Sequence, residues 1–181
     1  ALALPERSSS SEAGRTVMSE AAKVVAVIRK AFGGVPRGRL TLHEAEAIAF
    51  YAYKSEQALA RKRDRERRWE EVPDSSLEEC AAALTFLDPV SWRYYLPAYM
   101  VWFLGSSRSD PGSMAACTLM YELGLHPPEV EHRIEKFGVL DRNQGAAVLA
   151  FLRLVAEDDS YGSTREAAKA IDCHWIKYLH V

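Results

Sequence analysis

Helix start signals recur along the chain and constrain its fold more than any other feature. Four of them pair a capping residue with the side chain or proline that ordinarily accompanies it: Thr41 with Glu44, Asp88 with Pro89, Asp141 with Gln144, and Ser163 with Glu166. Apolar residues recur at helical spacing after these signals, and no segment alternates convincingly as a strand does. The sequence therefore predicts an all-α fold, a single compact bundle of about seven or eight helices.

The length of 181 residues fits one domain. We assign residues 18–181 to that helical domain. Residues 1–17 contain four consecutive serines and lack both a basic start and a long apolar stretch, which argues against a secretory signal. We predict that they form a flexible N-terminal extension. Cys80, Cys117 and Cys173 are widely spaced and form no CxxC pair, which favours reduced thiols in a cytoplasmic protein.

The segment "SWRYYLPAYMVWFL", residues 91–104, is the most aromatic part of the chain. Its uncharged run, residues 94–104, is too short for a membrane span, which needs about 20 apolar residues. Pro97 lacks an amide hydrogen, so we predict two helices that meet at this proline. Burial in the core is the favoured interpretation of the aromatic residues. The alternative is that Tyr94, Tyr99 or Trp102 faces a ligand or a protein partner.

A helix that begins after Thr41 is predicted to continue through an inner face ending at Tyr53 and into the basic stretch 61–68. His43 is expected at its surface. The six basic residues of the stretch could contact phosphates. However, Asp64 and Glu66 interrupt them, which favours an exposed helix with ion pairs along its length. Nucleic-acid binding through residues 61–68 is therefore kept as the second alternative.

Negative charge is concentrated directly after this stretch. Residues 1–68 carry a net charge of +6 and residues 69–181 a net charge of −8. Residues 70–79 contain five carboxylates and no basic residue: Glu70, Glu71, Asp74, Glu78 and Glu79. Such a segment is commonly a solvated loop and helix start. It could also form an acidic surface that attracts a basic partner and competes with nucleic acid for it.

Signatures of catalysis and of cofactor binding are missing from the sequence. It contains no GxSxG, no phosphate-binding loop and no GxGxxG. Glu129 and His132 have the spacing of a helical metal-ligand pair, but a second such pair is absent. We therefore predict no catalytic residues, no metal and no cofactor.

The chain resembles a family of small, uncharacterised bacterial proteins. The resemblance extends over about residues 20–178 and is carried by two motifs: Trp69, Pro73, Leu77, Leu84, Phe86-Leu87 and "RYYLPAYM" at residues 93–100; then Lys136-Phe137, Leu140, Gln144, Ala147-Val148 and Phe151-Leu152. Lys136 replaces the Arg that is usual there. The resemblance implies a small helical bacterial protein and brings no known reaction with it.

These observations favour a non-enzymatic protein-binding protein. The more specific hypothesis is a bacterial immunity protein that neutralises a cognate toxin, a basic domain, by direct contact. The predicted partner-binding residues are the five carboxylates of residues 70–79 together with Tyr94, Tyr99 and Trp102. The alternative is an enzyme or small-ligand receptor with a tyrosine-lined pocket. The sequence leaves the oligomeric state open.

Overall fold

Helices form the architecture of the protein, and the computed structural model describes residues 18–106, 110 and 112–179. The predicted N-terminal extension, residues 1–17, lies outside the described residues. The α-helices are α1 Glu20–Ala31, α2 Leu42–Ala49, α3 Lys54–Arg61, α4 Asp74–Glu79, α5 Ala83–Phe86, α6 Pro89–Ser106, α7 Met114–Glu122, α8 Val130–Gly138, α9 Arg142–Glu157 and α10 Thr164–Cys173. Short 3-10 turns cover Trp69–Glu71, Asp159–Tyr161 and Trp175–Tyr178.

The all-α prediction is confirmed: no strand occurs among the described residues. Eight of the ten α-helices span eight or more residues. Local signals account for several helix starts. The Asp88 carboxylate accepts hydrogen bonds of 3.1 Å from the amides of Val90 and Ser91 at the start of α6. Asp141 accepts one of 2.9 Å from the amide of Gln144 at the start of α9.

α6 lies at the centre of the molecule and carries the aromatic segment. The prediction of two helices meeting at Pro97 is wrong, because α6 is continuous and Pro97 lies inside it. A proline inside a helix removes one hydrogen bond. Buried side chains on both sides of Pro97, from Trp92 to Phe103, hold this segment in the core, and their packing outweighs the local preference for a break.

Other helices pack around α6 and bury one continuous apolar cluster with it, to which α3 contributes no buried residue. α9 packs against α1 and α10, and α6 packs against α1 and α8. Aromatic contacts connect these layers: Phe103 meets Phe151 of α9 edge to face at 5.5 Å between ring centroids, and Trp92 meets Phe137 of α8 at 5.8 Å. Most side chains of residues 91–104 therefore lie in the core, as the favoured interpretation of the sequence predicted.

The single long helix predicted after Thr41 is also wrong. The chain turns at residues 50–53, so that α3 folds back against α2. α3 ends at Arg61, and most of the basic stretch is a loop. Tyr53, expected on an inner face, is 81% exposed. α2 and α3 are separate helices because the aromatic side chains of the turn have no core to pack against at the end of α2.

Candidate functional site

Three aromatic side chains project from the turn between α2 and α3. Phe50, Tyr51 and Tyr53 are 73%, 94% and 81% exposed; we call them the aromatic turn. Tyr51 has a φ of 57°, a left-handed conformation that is uncommon for a residue with a bulky side chain. Hydrogen bonds on either side hold it there, from the Tyr51 amide to the Ile48 carbonyl at 3.0 Å and from the Ala52 amide to the Ala47 carbonyl at 2.9 Å. These hydrogen bonds fix the backbone of the turn, and its three aromatic side chains are exposed to solvent.

A buried hydrogen-bonded pair of side chains, His43 and Asp64, supports the other end of α2. His43 Nδ1 lies 2.5 Å from Asp64 Oδ1, and the second carboxylate oxygen of Asp64 accepts a hydrogen bond from the His43 amide at 2.9 Å. Both side chains are buried. The expectation that His43 lies at the surface is therefore wrong. Burial alone would raise the pKa of Asp64, but the hydrogen bonds from His43 outweigh it and the pKa is lowered.

The acidic residues of the basic stretch point inward and fix it as a loop. The hydroxyl of Tyr95 donates to Glu66 Oε1 at 2.7 Å, and Arg37 donates to the carbonyls of Asp64 and Glu66 at 3.0 and 3.1 Å. The prediction of an exposed helix is wrong here because these contacts require an extended, inward-facing backbone. Three of the six basic side chains in the stretch have carboxylate partners: Arg61 with Glu44, Arg63 with Glu79 and Arg68 with Glu71.

The five carboxylates of residues 70–79 are all exposed, on the 3-10 turn Trp69–Glu71 and on α4. We call them the acidic surface. Arg63 forms two hydrogen bonds of 2.7 Å with Glu79, and Arg68 Nε lies 3.0 Å from Glu71 Oε1. The other three, Glu70, Asp74 and Glu78, belong to none of the ion pairs between described residues. The acidic surface therefore retains much of its negative charge.

Tyr94, Tyr99 and Trp102, predicted to meet a partner, lie in the core, with at most 4% of each exposed. Tyr99 donates to the carbonyl of Cys80, and Trp102 Nε1 donates to Glu78 Oε1 at 3.2 Å. The Tyr94 hydroxyl has no hydrogen-bond partner among the described residues. Burial raises the pKa of all three tyrosines at positions 94, 95 and 99. These side chains lie beneath the acidic surface and are too buried to contact a partner themselves.

A cavity of about 590 Å³ lies between α7 and α10, away from the predicted tyrosines. Met120, Tyr121 and Leu125 form apolar parts of its wall, and Arg165 and Lys169 add positive charge. The ring of His126 stacks on that of Tyr121 with the planes 2° apart and the centroids 4.7 Å apart. Gly124 makes room for this ring, since a Cβ atom there would collide with it. The sequence reasoning missed this cavity because it joins residues that are about 40 positions apart.

The sequence reasoning also missed the aromatic turn. Its signal is the run "FYAY" at residues 50–53, three aromatic residues in four positions at the end of an apolar stripe. No apolar residue follows these aromatic residues at helical spacing. The buried face of the helix therefore cannot continue beyond them.

The described residues contain neither a cluster suited to a metal ion nor a helix suited to a membrane. None of these residues form a group of three or more His, Cys, Asp or Glu side chains placed to hold a metal ion. Glu129, one of the two candidate ligands, instead accepts a hydrogen bond of 3.3 Å from the Tyr121 hydroxyl. In the part of the chain that the structure describes, no helix combines the length and apolar character that crossing a bilayer requires.

Comparison with known proteins identifies one relationship. The searches of curated proteins and of solved structures returned no significant match. A family model, described as a family of unknown function (DUF6714), matches residues 20–179, nearly the range over which the sequence resembles an uncharacterised family. Because this match covers most of the chain, the protein belongs to the family of unknown function DUF6714.

Proposed function

We propose that this protein is a non-enzymatic binding protein whose partner is a basic protein domain. The observation that carries the proposal is the aromatic turn, which presents three exposed rings close to the acidic surface. Monomeric proteins seldom expose large apolar patches without a use for them. At roughly 200 Å² for each ring, the three together expose about 500 Å². The more specific hypothesis is a cytoplasmic bacterial immunity protein that neutralises a toxin by direct contact.

The two surfaces are close enough for one partner to cover both. α2 has eight residues, which corresponds to a length of about 12 Å. His43 at its start lies 3.7 Å from Glu79 of the acidic surface, and Phe50 directly follows its end. A standard interface buries about 800 Å² on each partner, a patch roughly 30 Å across. One interface of ordinary size can thus include the aromatic turn and the acidic surface.

The aromatic turn and the acidic surface contribute to binding in different ways. Exposed aromatic side chains are frequent anchors because each buries a large area at little cost in side-chain entropy. Carboxylates at the rim contribute more to the rate of association with a basic partner and to the choice of partner than to affinity. This division supports binding to a basic protein in preference to binding to a nucleic acid, whose phosphates the acidic surface would repel.

The alternatives gain less support. An enzyme or receptor built around Tyr94 and Tyr99 would need these side chains in a cleft, and both lie in the core. Binding of nucleic acid through residues 61–68 would need free cations, and three of the six already pair with carboxylates.

The proposal is tested with the product of the gene adjacent to its own, purified and titrated against this protein by isothermal calorimetry. We expect a complex that weakens as salt concentration rises. Tyr51→Ala should weaken it about tenfold or more, because it removes the most exposed anchor. The double variant Glu70→Lys, Asp74→Lys should slow association about tenfold and reduce the dependence of the rate on salt.

The matched control is the double variant Glu131→Lys, Glu135→Lys. It makes the same change in charge on exposed residues of α8, outside the proposed interface. It should leave the affinity within about twofold of the unmodified protein. The absence of a complex with the neighbouring product, or equal weakening by the control and by the interface variants, would refute the proposal.

A further inference from the structure

The cavity between α7 and α10 has the size and lining of a small-molecule site. Its volume of about 590 Å³ lies within the range of roughly 300–1,000 Å³ that is usual for ligand pockets. α7 contributes Met120 and the half-exposed ring of Tyr121, and α10 contributes Ala170. These groups form an apolar surface that would exclude water from a bound hydrocarbon or aromatic body.

Positive charge is concentrated at one side of this cavity. Arg165 and Lys169 are four positions apart on α10 and therefore share a face of the helix. Neither forms an ion pair with any described residue. Glu166 also lines the cavity and offsets one of these charges. A third cation, Arg133, lies behind the wall, with its guanidinium carbon 4.2 Å from the centroid of the Tyr121 ring.

Hydrogen-bond donors at the same end of the cavity have no partner among the residues that the structure describes. Ser163, the residue before α10, is 8% exposed, lines the cavity, and its hydroxyl makes no hydrogen bond with a described residue. It does not cap α10, so the amides of the first turn keep their capacity to donate. The partial positive charge of the helix N-terminus adds to the charge of Arg165 and Lys169. Because Ser163 lines the cavity, its hydroxyl can donate to a ligand bound there.

His126 completes the polar part of the wall. Burial, together with the nearby charges of Arg133 and Lys169, lowers the pKa of His126 below its usual value. At neutral pH its ring is therefore uncharged and can donate one hydrogen bond. This arrangement of a flat apolar wall beside donors and cations suits a ligand with one negatively charged end.

From these observations we infer that the cavity binds a small apolar organic anion. The charged group lies toward Ser163, Arg165 and Lys169, and the apolar body lies against Met120, Tyr121 and Ala170. This site is separate from the aromatic turn and the acidic surface, so the inference does not depend on the protein partner proposed above.

The experiment uses the full chain and four probes, with binding measured by isothermal calorimetry at neutral pH. Dodecanoate and 1-anilinonaphthalene-8-sulfonate represent aliphatic and aromatic anions; dodecanol lacks the charge, and inorganic phosphate lacks the apolar body. We expect at least one of the two apolar anions to bind with a one-to-one stoichiometry. Dodecanol should bind about tenfold or more weakly than dodecanoate, because it loses the contacts with the cations. Inorganic phosphate should not bind measurably.

Three variants locate the site. The double variant Arg165→Gln, Lys169→Gln should weaken binding of the anion about tenfold or more and leave any binding of dodecanol unchanged. Cys173→Trp should abolish binding of both, because Cys173 is exposed and lines the cavity, so that a larger side chain fills the space without entering the core. Arg153→Gln removes an exposed cation on α9 and should change nothing.

Two results would overturn the inference. One is failure of both apolar anions to bind the unmodified chain. The other is binding that survives Cys173→Trp or the double variant unchanged while the variants keep the far-ultraviolet circular dichroism of the parent. Because neither result involves the aromatic turn, it would leave the proposed function standing.

Discussion

At the scale of single residues, the core contains a lysine that has lost all contact with water. Lys136 is 0% exposed, and its ammonium nitrogen donates to three oxygens: Glu122 Oε2 at 2.9 Å, the Leu84 carbonyl at 2.8 Å and the Thr85 carbonyl at 3.0 Å. An ammonium group has three hydrogens, so each finds an acceptor. Glu122 in turn also pairs with Arg133 at 3.3 Å. The ammonium group of Lys136 is thus fully hydrogen-bonded, and its contacts connect α5, α7 and α8 in one arrangement.

Replacing Lys136 by Met should therefore be strongly destabilising. The change keeps an apolar stem but leaves Glu122 and two carbonyls without their shared donor, which we expect to cost about 3 kcal/mol of unfolding free energy. The measurement is urea denaturation followed by circular dichroism. Lys23→Met is the matched control, since Lys23 forms an exposed pair with Glu20 at 2.6 Å and should cost about 0.5 kcal/mol or less. Equal costs for the two variants would contradict the role of the buried network.

Residue by residue, the sequence predicted burial better than it predicted partners. The aromatic side chains of residues 91–104 were expected in the core because of their size, and most lie there. The pairing of His43 with Asp64 could not be predicted, because 21 residues separate them and each looks like an ordinary surface residue in its own segment. Such a pair is made by the tertiary fold, which brings a loop against the start of α2.

At the scale of helices, beginnings were easier to predict than ends. A cap depends on residues three positions apart, so the pair Asp141 and Gln144 marks the start of α9 in the sequence. Two of the wrong predictions concern the continuity of helices. The helix predicted after Thr41 breaks between α2 and α3, and α6 is intact at Pro97. In both places packing against distant residues decides whether the helix continues, and local preference does not contain that information.

The N-terminal cap of α9 leads to a prediction about the stability of the protein. Asp141→Ala removes one capping hydrogen bond and should cost about 1 kcal/mol. Gln144→Ala should cost about 2 kcal/mol, because buried Gln144 also accepts from Arg93 Nε at 2.9 Å and donates to the Ala31 carbonyl at 3.3 Å. The two unfolding free energies are compared with that of Ser19→Ala, which removes an exposed cap from α1. If Gln144→Ala costs no more than Asp141→Ala, the side chain of Gln144 does not connect α9 to α1 and α6.

At the scale of the whole molecule, the end of the described chain is fastened to the core by aromatic residues. Trp175 donates from Nε1 to the Leu123 carbonyl at 2.8 Å, and its ring lies 4.6 Å from that of Phe137. His174 packs against both rings, and its buried Nε2 has no hydrogen-bond partner in the part of the chain that the structure describes. A charged imidazolium in this position would lie among rings, with its buried nitrogen unable to donate to an acceptor.

This arrangement predicts that acid weakens the folded state through His174. Burial and, to a lesser degree, the charge of Lys177 lower the pKa of His174 to about 4, whereas an unfolded chain has a histidine pKa of about 6.5. The unfolded state therefore binds the proton more tightly between these values. The stability that the neutral ring contributes is fully present above about pH 6.5 and is lost progressively as the pH falls toward 4.

The measurement is the free energy of unfolding in urea at pH 7 and pH 5, for the parent chain and for His174→Phe. The parent should lose about 1 kcal/mol more than the variant between these two conditions, a value reduced from the full pKa difference because His174 is only partly shielded from water. His126, whose pKa is lowered as well, is present in both chains and cancels in the comparison. If His174→Phe loses as much stability as the parent, the attachment of the C-terminal aromatic residues does not depend on a neutral His174.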